Sequence, residues 1–159
     1  LTGSADKARN YALLLLGYRG RSEKELRDRL KRKGFCEEDI EKTVAWMINA
    51  GFINDRSLAD ELKRQALSNK LLGFSGARRF MQQRGLARDT IDEALEYDED
   101  TEFRNIRRLI EKKAKSLEKY PEPKRTKNLT DFLLRRGYSM NVIRKAIKNK
   151  FSIDEEMEA

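Results

Sequence analysis

Histidine is absent from the 159-residue chain. Its absence removes imidazole acid–base catalysis and imidazole metal ligation. Cysteine occurs once, as Cys36, so no internal disulfide forms and no zinc site can be built from thiolates alone. Cys36 follows a glycine turn, where a small residue opening a helix is sufficient explanation. No apolar run approaches the ~20 residues of a membrane span. The run Leu13–Leu16 is short and is flanked by Arg9 and Arg19. No secretion signal is recognisable, and a cytoplasmic protein is expected. The opening LTGS resembles an expression scar and is left out of the fold argument. Glycine-rich phosphate loops are missing too, since Gly73–Gly76 (GFSG) lacks the lysine and the spacing of a nucleotide cradle. It reads as an interhelical turn. Adjacent carboxylates, Glu37 with Glu38 and Asp98 to Asp100, read as solvated. No enzyme, cofactor or metal is expected.

What is present is a repeat. LKRKGF (30–35), MQQRGL (81–86) and LLRRGY (133–138) share one pattern, and their glycines, Gly34, Gly85 and Gly137, are spaced by 51 and 52 residues. Regular self-similarity at that length marks tandem structural units. Four positions before each glycine stand Leu30, Met81 and Leu133, and eight before stand Leu26, Ala77 and Leu129. Six after it stand Ile40, Ile91 and Ile143, and ten after it Val44, Leu95 and Ile147. Steps of four on both sides of a glycine describe two helices with apolar stripes. The glycine is then the left-handed C-terminal cap of the first, and Lys33, Arg84 and Arg136 before it suit the negative end of the helix dipole.

A third helix precedes each pair, around Ala8–Leu16, Leu58–Leu67 and Phe103–Lys113. Ser22 with Glu25 forms a capping box, Asn54 or Asp55 caps the fourth helix, and Ser139 caps the last. Pro121 and Pro123 break the chain before the eighth helix. No segment alternates with the period of a strand. An apolar fraction of 38% is low for one large core but suits three small helical cores in a row. The expected fold is all-α: three tandem three-helix, helix-turn-helix-like repeats at 5–50, 51–97 and 98–150, in an elongated, curved, right-to-left stack, then an acidic tail at 151–159.

Charge points to a partner. Lys plus Arg number 35 against 27 Asp plus Glu, a net charge of +8, so an anionic partner is expected: nucleic acid, a nucleoprotein or an acidic protein face. Any one basic cluster is explained by a solvated helix face, but the excess recurs near the middle helix of each unit. The expected binding residues are Lys31, Arg32, Arg78, Arg79, Lys124, Arg125, Arg135 and Arg144. Of these, Lys31, Arg32, Arg78, Arg79 and Arg125 fall off the apolar stripe.

The segments SEKELRDRLKRKGF (22–35), GFINDRSLADELKRQALSNKLLG (51–73) and KRTKNLTDFLLRRGYSMNVIRKAI (124–147) resemble the RecX family of RecA regulators. The resemblance runs from about Ala8 to Lys148, and its matching residues include Ser22, Glu25, Gly34, Arg64, Lys70, Arg84, Gly85, Lys124, Arg125, Arg135, Gly137 and Tyr138. The chain departs from the family pattern at Leu58 (usually Phe), Leu62 (usually Tyr) and Gly73–Phe74 (usually Gly–Pro). The resemblance implies a protein that binds RecA and lies in the groove of the RecA–DNA filament. There it would restrain filament growth, ATP hydrolysis, strand exchange and co-protease activity. A helix of about 12 residues spans ~18 Å, so three units in line would touch more than one filament subunit and gain from multivalency. A monomer without membrane contact is expected. A nonspecific DNA-binding helix-turn-helix repeat protein is the alternative. Sequence-specific reading is disfavoured, because the third helices differ on their polar sides and the first carries Glu37, Glu38, Asp39 and Glu41, which phosphates repel.

Overall fold

The computed structural model describes residues 3–158, except the side chains of 151–156 and 158. Among the described residues every regular element is helical. The helices are α1 (Ser4–Tyr18), α2 (Glu23–Lys33), α3 (Glu37–Asn49), α4 (Asp55–Arg64), α5 (Phe74–Gln83), α6 (Arg88–Ala94), α7 (Glu99–Leu117), α8 (Lys124–Arg135) and α9 (Met140–Glu158). A π-helical turn, Gln65–Asn69, continues α4. Helix α1 begins at Ser4, with Gly3 as its N-cap, so part of the LTGS opening is structured; Leu1 and Thr2 lie outside the described residues. The acidic stretch from Asp154 belongs to the backbone of α9, and its side chains lie outside the described residues.

The chain divides into two compact units. One contains the residues up to Leu62 together with Met81–Ala94; the other contains Lys63–Phe80 and the chain from Leu95 onward. In the first unit Ala8, Ala12 and Leu15 of α1, Leu26 and Leu30 of α2, and Ile40, Val44 and Met47 of α3 form one buried cluster. These are the apolar positions spaced by three and four residues. In the second unit Ile106, Leu109 and Ile110 of α7, Leu129 and Leu133 of α8, and Tyr138, Val142, Ile143 and Ala146 pack around Leu71.

The turns follow from their end residues. Gly34, Gly85 and Gly137 have φ of 100°, 82° and 90°. After each glycine the apolar residue's N–H returns to the preceding helix: Phe35 to Leu30 O, Leu86 to Met81 O and Tyr138 to Leu133 O. Such returns satisfy carbonyls that the helix end leaves open. Ser22 and Glu25 form a full capping box on α2. Asn54 is the cap of α4, accepting the Ser57 N–H at 3.1 Å, and Ser139 accepts the Val142 N–H at 3.3 Å.

One joint occurs in each unit, with the same logic both times. In the first unit the Gly85 turn sits on the start of α2, close to the Ser22 side chain. Asp55 Oδ1 accepts the first N–H of α2, that of Glu23, at 2.9 Å. Arg84 reaches Glu25 Oε1 at 3.1 Å and the Gly20 carbonyl at 2.9 Å. In the second unit the Gly137 turn sits on the start of α5. The Gly73 N–H donates to Arg136 O at 2.9 Å, Glu102 accepts the first N–H of α5, that of Phe74, at 2.6 Å, and Arg136 donates to the Lys70 carbonyl. Ser22 and Gly73, the two N-caps in these joints, are 51 residues apart.

The joint corrects three readings of the sequence. GFSG is not a turn throughout, because Phe74–Gly76 form the first turn of α5. Gly73 and Gly76 are small because a Cβ at either would overlap the Arg136–Tyr138 backbone. Arg84 and Arg136 do more than complement a helix dipole, since each ties its turn to a carbonyl ahead of another helix. Asp55 serves α2 rather than capping its own helix.

Glu102 is buried, at 5% exposure. Burial first, and then Glu99, raises its carboxyl above the usual range, against the opposing hydrogen bonds from Phe74 N–H and Tyr97. A carboxyl raised on folding makes the folded state bind more protons than the unfolded one. Stability from this group therefore falls as pH rises from the ordinary Glu value, about 4.3, through the raised one. Glu102→Gln keeps an oxygen for the Phe74 N–H but cannot ionise. Between pH 5 and 7.5 its unfolding free energy is expected to improve relative to the parent, as read from urea titrations at each pH. A difference independent of pH would show that Glu102 does not titrate in that window.

Candidate binding surfaces

Basic residues assemble separately in each unit. In the first, the end of α1, helix α2 and the end of α5 enclose a groove lined by Arg19, Arg21, Lys24, Arg29, Arg32, Gln82 and Gln83, with Glu25 and Asp28 among them. Lys24 is met by Asp28 at 3.3 Å. Glu25 is shared by three guanidinium groups: Arg19 at 2.6 Å, Arg84 at 3.1 Å and Arg21 at 3.8 Å. One carboxylate cannot neutralise three cations. The consequence is felt at Arg21, whose side chain is 9% exposed. Its pKa is lowered, first by burial and then by Arg19, with Arg29 and Arg84 adding to the effect against the pull of Glu25. Arg29 and Arg32 stand exposed at the rim. The groove thus holds a concentrated positive field beside a helix that is already fully capped.

Of the expected residues, Arg32 lines this groove, whereas Lys31 is exposed on α2 but is not among the lining residues. In the second unit Arg79 Nη2 donates to the Arg135 carbonyl at 3.4 Å. Two exposed basic side chains, one on α5 and one ending α8, therefore share a patch. Arg78 beside them is half-buried. Lys124 and Arg125 meet at the α7–α8 loop. Lys124 Nζ lies 5.1 Å from the centroid of the Tyr120 ring. Arg125 donates to the carbonyls of Tyr120 and Glu118 at 3.1 and 3.2 Å, so it holds the loop shut although it falls off the apolar stripe. Arg144 is exposed near the start of α9, while its neighbour Lys145 is paired with Glu99 at 3.0 Å.

Sequence reasoning missed Arg19, Arg21, Gln82 and Gln83 as members of a surface. The available signal was the pairing of Arg84 with Glu25, 59 residues apart. It would have folded the end of α5 over the start of α2, but no periodicity encodes such a pair. Among the described residues, no group of three or more His, Cys, Asp or Glu is placed to hold a metal ion, and no helix is long and apolar enough to cross a membrane.

Comparison with known proteins agrees with this architecture. Residues 8–47 match the family model described as the first three-helix domain of RecX, and residues 100–147 match that of the third three-helix domain. The Regulatory protein RecX of Chlorobaculum tepidum is 34% identical over 92% of this chain and 89% of its own length. The Regulatory protein RecX of Thermotoga maritima is 33% identical over 96% of this chain and 89% of its own. The crystal structure of RecX from Lactobacillus salivarius superposes with a TM-score of 0.76 at 23% identity, covering 92% of this chain and 96% of that one, a likeness of fold. With two three-helix domains matched in order and relatives aligned over nearly their full length, the chain belongs to the RecX family.

Proposed function

We propose that this chain regulates the recombinase RecA by binding RecA and the RecA–DNA filament, restraining its recombinase, ATPase and co-protease activities. The observation that carries this reading is the groove of the first unit. Five basic residues crowd there around one shared carboxylate and one lysine-paired aspartate, leaving an excess of positive charge suited to an anionic nucleoprotein. The second-unit patch of Arg79 and Arg135 supplies a further contact of the same sign, and two weak contacts on one chain reinforce each other. The protein acts in the cytoplasm, as a monomer. The exposed acids at the start of α3, Glu37 and Glu38, repel phosphate, which weighs against the nonspecific DNA-binding alternative for that helix.

The deciding measurement is ATP hydrolysis by RecA on single-stranded DNA with this protein substoichiometric to RecA. Suppression, together with weak binding to bare DNA, is the expected result. Unchanged hydrolysis with tight binding to bare DNA would replace this reading by the DNA-binding one.

A further inference from the structure

The two internal joints share a plan but not their charge. Each has a left-handed glycine set on a helix start, a basic residue reaching a carbonyl ahead of that helix, and a carboxylate on its first N–H. At the places 51 residues on from Arg21, Glu25 and Arg29, the second joint has Leu72, Gly76 and Phe80. A joint of this kind therefore closes without those arginines, and their presence in the first needs another cause. Arg21 is the clearest case. Its side chain is nine-tenths buried, and the hydrogen bond it makes runs from Nε to the Leu15 carbonyl at 3.3 Å. Glu25 Oε2 stands 3.8 Å from Nη1, beyond hydrogen-bond reach, and is already held by Arg19 at 2.6 Å. Among the described residues the two terminal nitrogens of Arg21 have no acceptor, and Arg21 lines the groove of the first unit. A buried guanidinium short of acceptors costs free energy until an anion reaches it.

We infer that Arg21, with Arg19 and Arg29 beside it in the groove, is a binding site for a backbone phosphodiester of the DNA strand in the filament, held without regard to base. The inference rests on the function proposed above and names which component of the filament this groove meets. Donors approach from the end of α1, from α2 and, through the amides of Gln82 and Gln83, from the end of α5. The oxygens of a phosphodiester point in several directions and accept from all three sides, whereas the lone pairs of a carboxylate lie in one plane. The lining of the groove contains no apolar or aromatic side chain. A protein partner would find no apolar anchor there, and the core of a protein interface is poor in charge. A base would find no ring on which to stack. What remains is the backbone, whose phosphate contacts position a strand and carry no sequence information. Glu25 and Asp28 in the same groove oppose the phosphate, so contact with bare DNA stays weak and gains from a second contact on the filament.

Arg21→Leu copies the second joint and is the test. The full chain and the variant are compared by fluorescence anisotropy on oligo(dT), on a mixed-sequence strand of equal length and on RecA–DNA filaments, over a series of salt concentrations. Loss of one charge-assisted phosphate contact is expected to weaken binding to both strands equally, by about tenfold at low salt. The slope of log affinity against log salt is expected to fall by roughly 0.7. The melting temperature is expected to hold or rise, because a half-paired buried charge is removed; a purely structural role would lower it. Arg29→Phe, at the exposed rim, repeats the measurement if Arg21→Leu fails to fold. If both variants bind both strands as the parent does, with the same slope, the site is overturned. Unchanged strand binding with weakened filament binding would assign the groove to an acidic face of RecA, overturning the site while the function stands. Displacement of the strand by ATP at an equal concentration of phosphate groups would make it a nucleotide site and overturn it as well. If the parent neither suppresses RecA hydrolysis nor binds filaments, the function is overturned and the filament strand with it.

Discussion

Gly137→Val is expected to cost on the order of 4 kcal/mol or more, a size reached only when core packing or backbone geometry is broken. For a chain of this length that lowers the melting temperature by about 10 °C. Two terms add. At φ of 90° a side chain meets its own backbone, at roughly 1–2 kcal/mol for any L-residue and more for a β-branched one. In addition, a Cβ on Gly137 would lie on the backbone of Gly76 and Ser75, and neither strand of chain can yield without opening the joint. Alanine at the three cap positions separates the terms, because each shares the left-handed penalty. Gly34→Ala meets nothing and is expected to lose only that penalty. Gly85→Ala would meet the Ser22 hydroxyl and the Lys24 Cβ, so it disturbs a capping box as well. Gly137→Ala meets backbone and should be the worst of the three. Circular-dichroism melts that rank the three alike would remove the joint from the account.

The same three glycines show what could be read from the sequence and what could not. Their spacing, with apolar residues four and eight places before and six and ten places after, already specifies helices that end at Gly34, Gly85 and Gly137, and the described backbone is helical at all of these places except Leu95, which follows the end of α6 at Ala94. A period reports local structure because the helix repeat acts within one segment. It does not report which surface approaches which. Gly73 and Gly76 look like turn residues in the sequence, yet they admit the backbone of residues 60 positions away or more. Arg84 and Arg136 sit where a dipole would place any cation, and only the fold brings the Gly20 and Lys70 carbonyls within their reach. Likewise Arg125 lies off the apolar stripe and so looked available. It turned inward because the Pro121–Pro123 segment leaves the carbonyls of Glu118 and Tyr120 without helical partners. The candidate surface was legible as a sign of charge, but the groove of α2 with the end of α5 was not.

Reversing Arg29 and Arg32 together is expected to give the largest functional loss, at least tenfold in affinity for RecA–DNA filaments at low salt, or about 1.4 kcal/mol. Both side chains are exposed and lie off the buried stripe of Leu26 and Leu30, so the fold should survive. Their effect reaches beyond themselves. Arg29 contributes to the positive field that depresses the Arg21 pKa, and replacing it with Glu adds a third carboxylate, beside Glu25 and Asp28, to a groove whose excess charge comes from having too few. The double mutant therefore abolishes the excess rather than trimming it. Exposed charges are screened over roughly 8 Å at physiological ionic strength, so the loss should shrink as salt rises and both proteins weaken toward a common value. Net charge alone is controlled by Arg107→Glu with Arg108→Glu, two exposed positions on α7 that impose the same change in total charge outside the groove. If the α7 pair weakens filament binding as much as the α2 pair, with both variants folded by circular dichroism, attraction is set by overall charge and the groove has no special part in it. If the α2 pair alone loses binding and its suppression of RecA hydrolysis falls in parallel, the contact and the regulation share one surface.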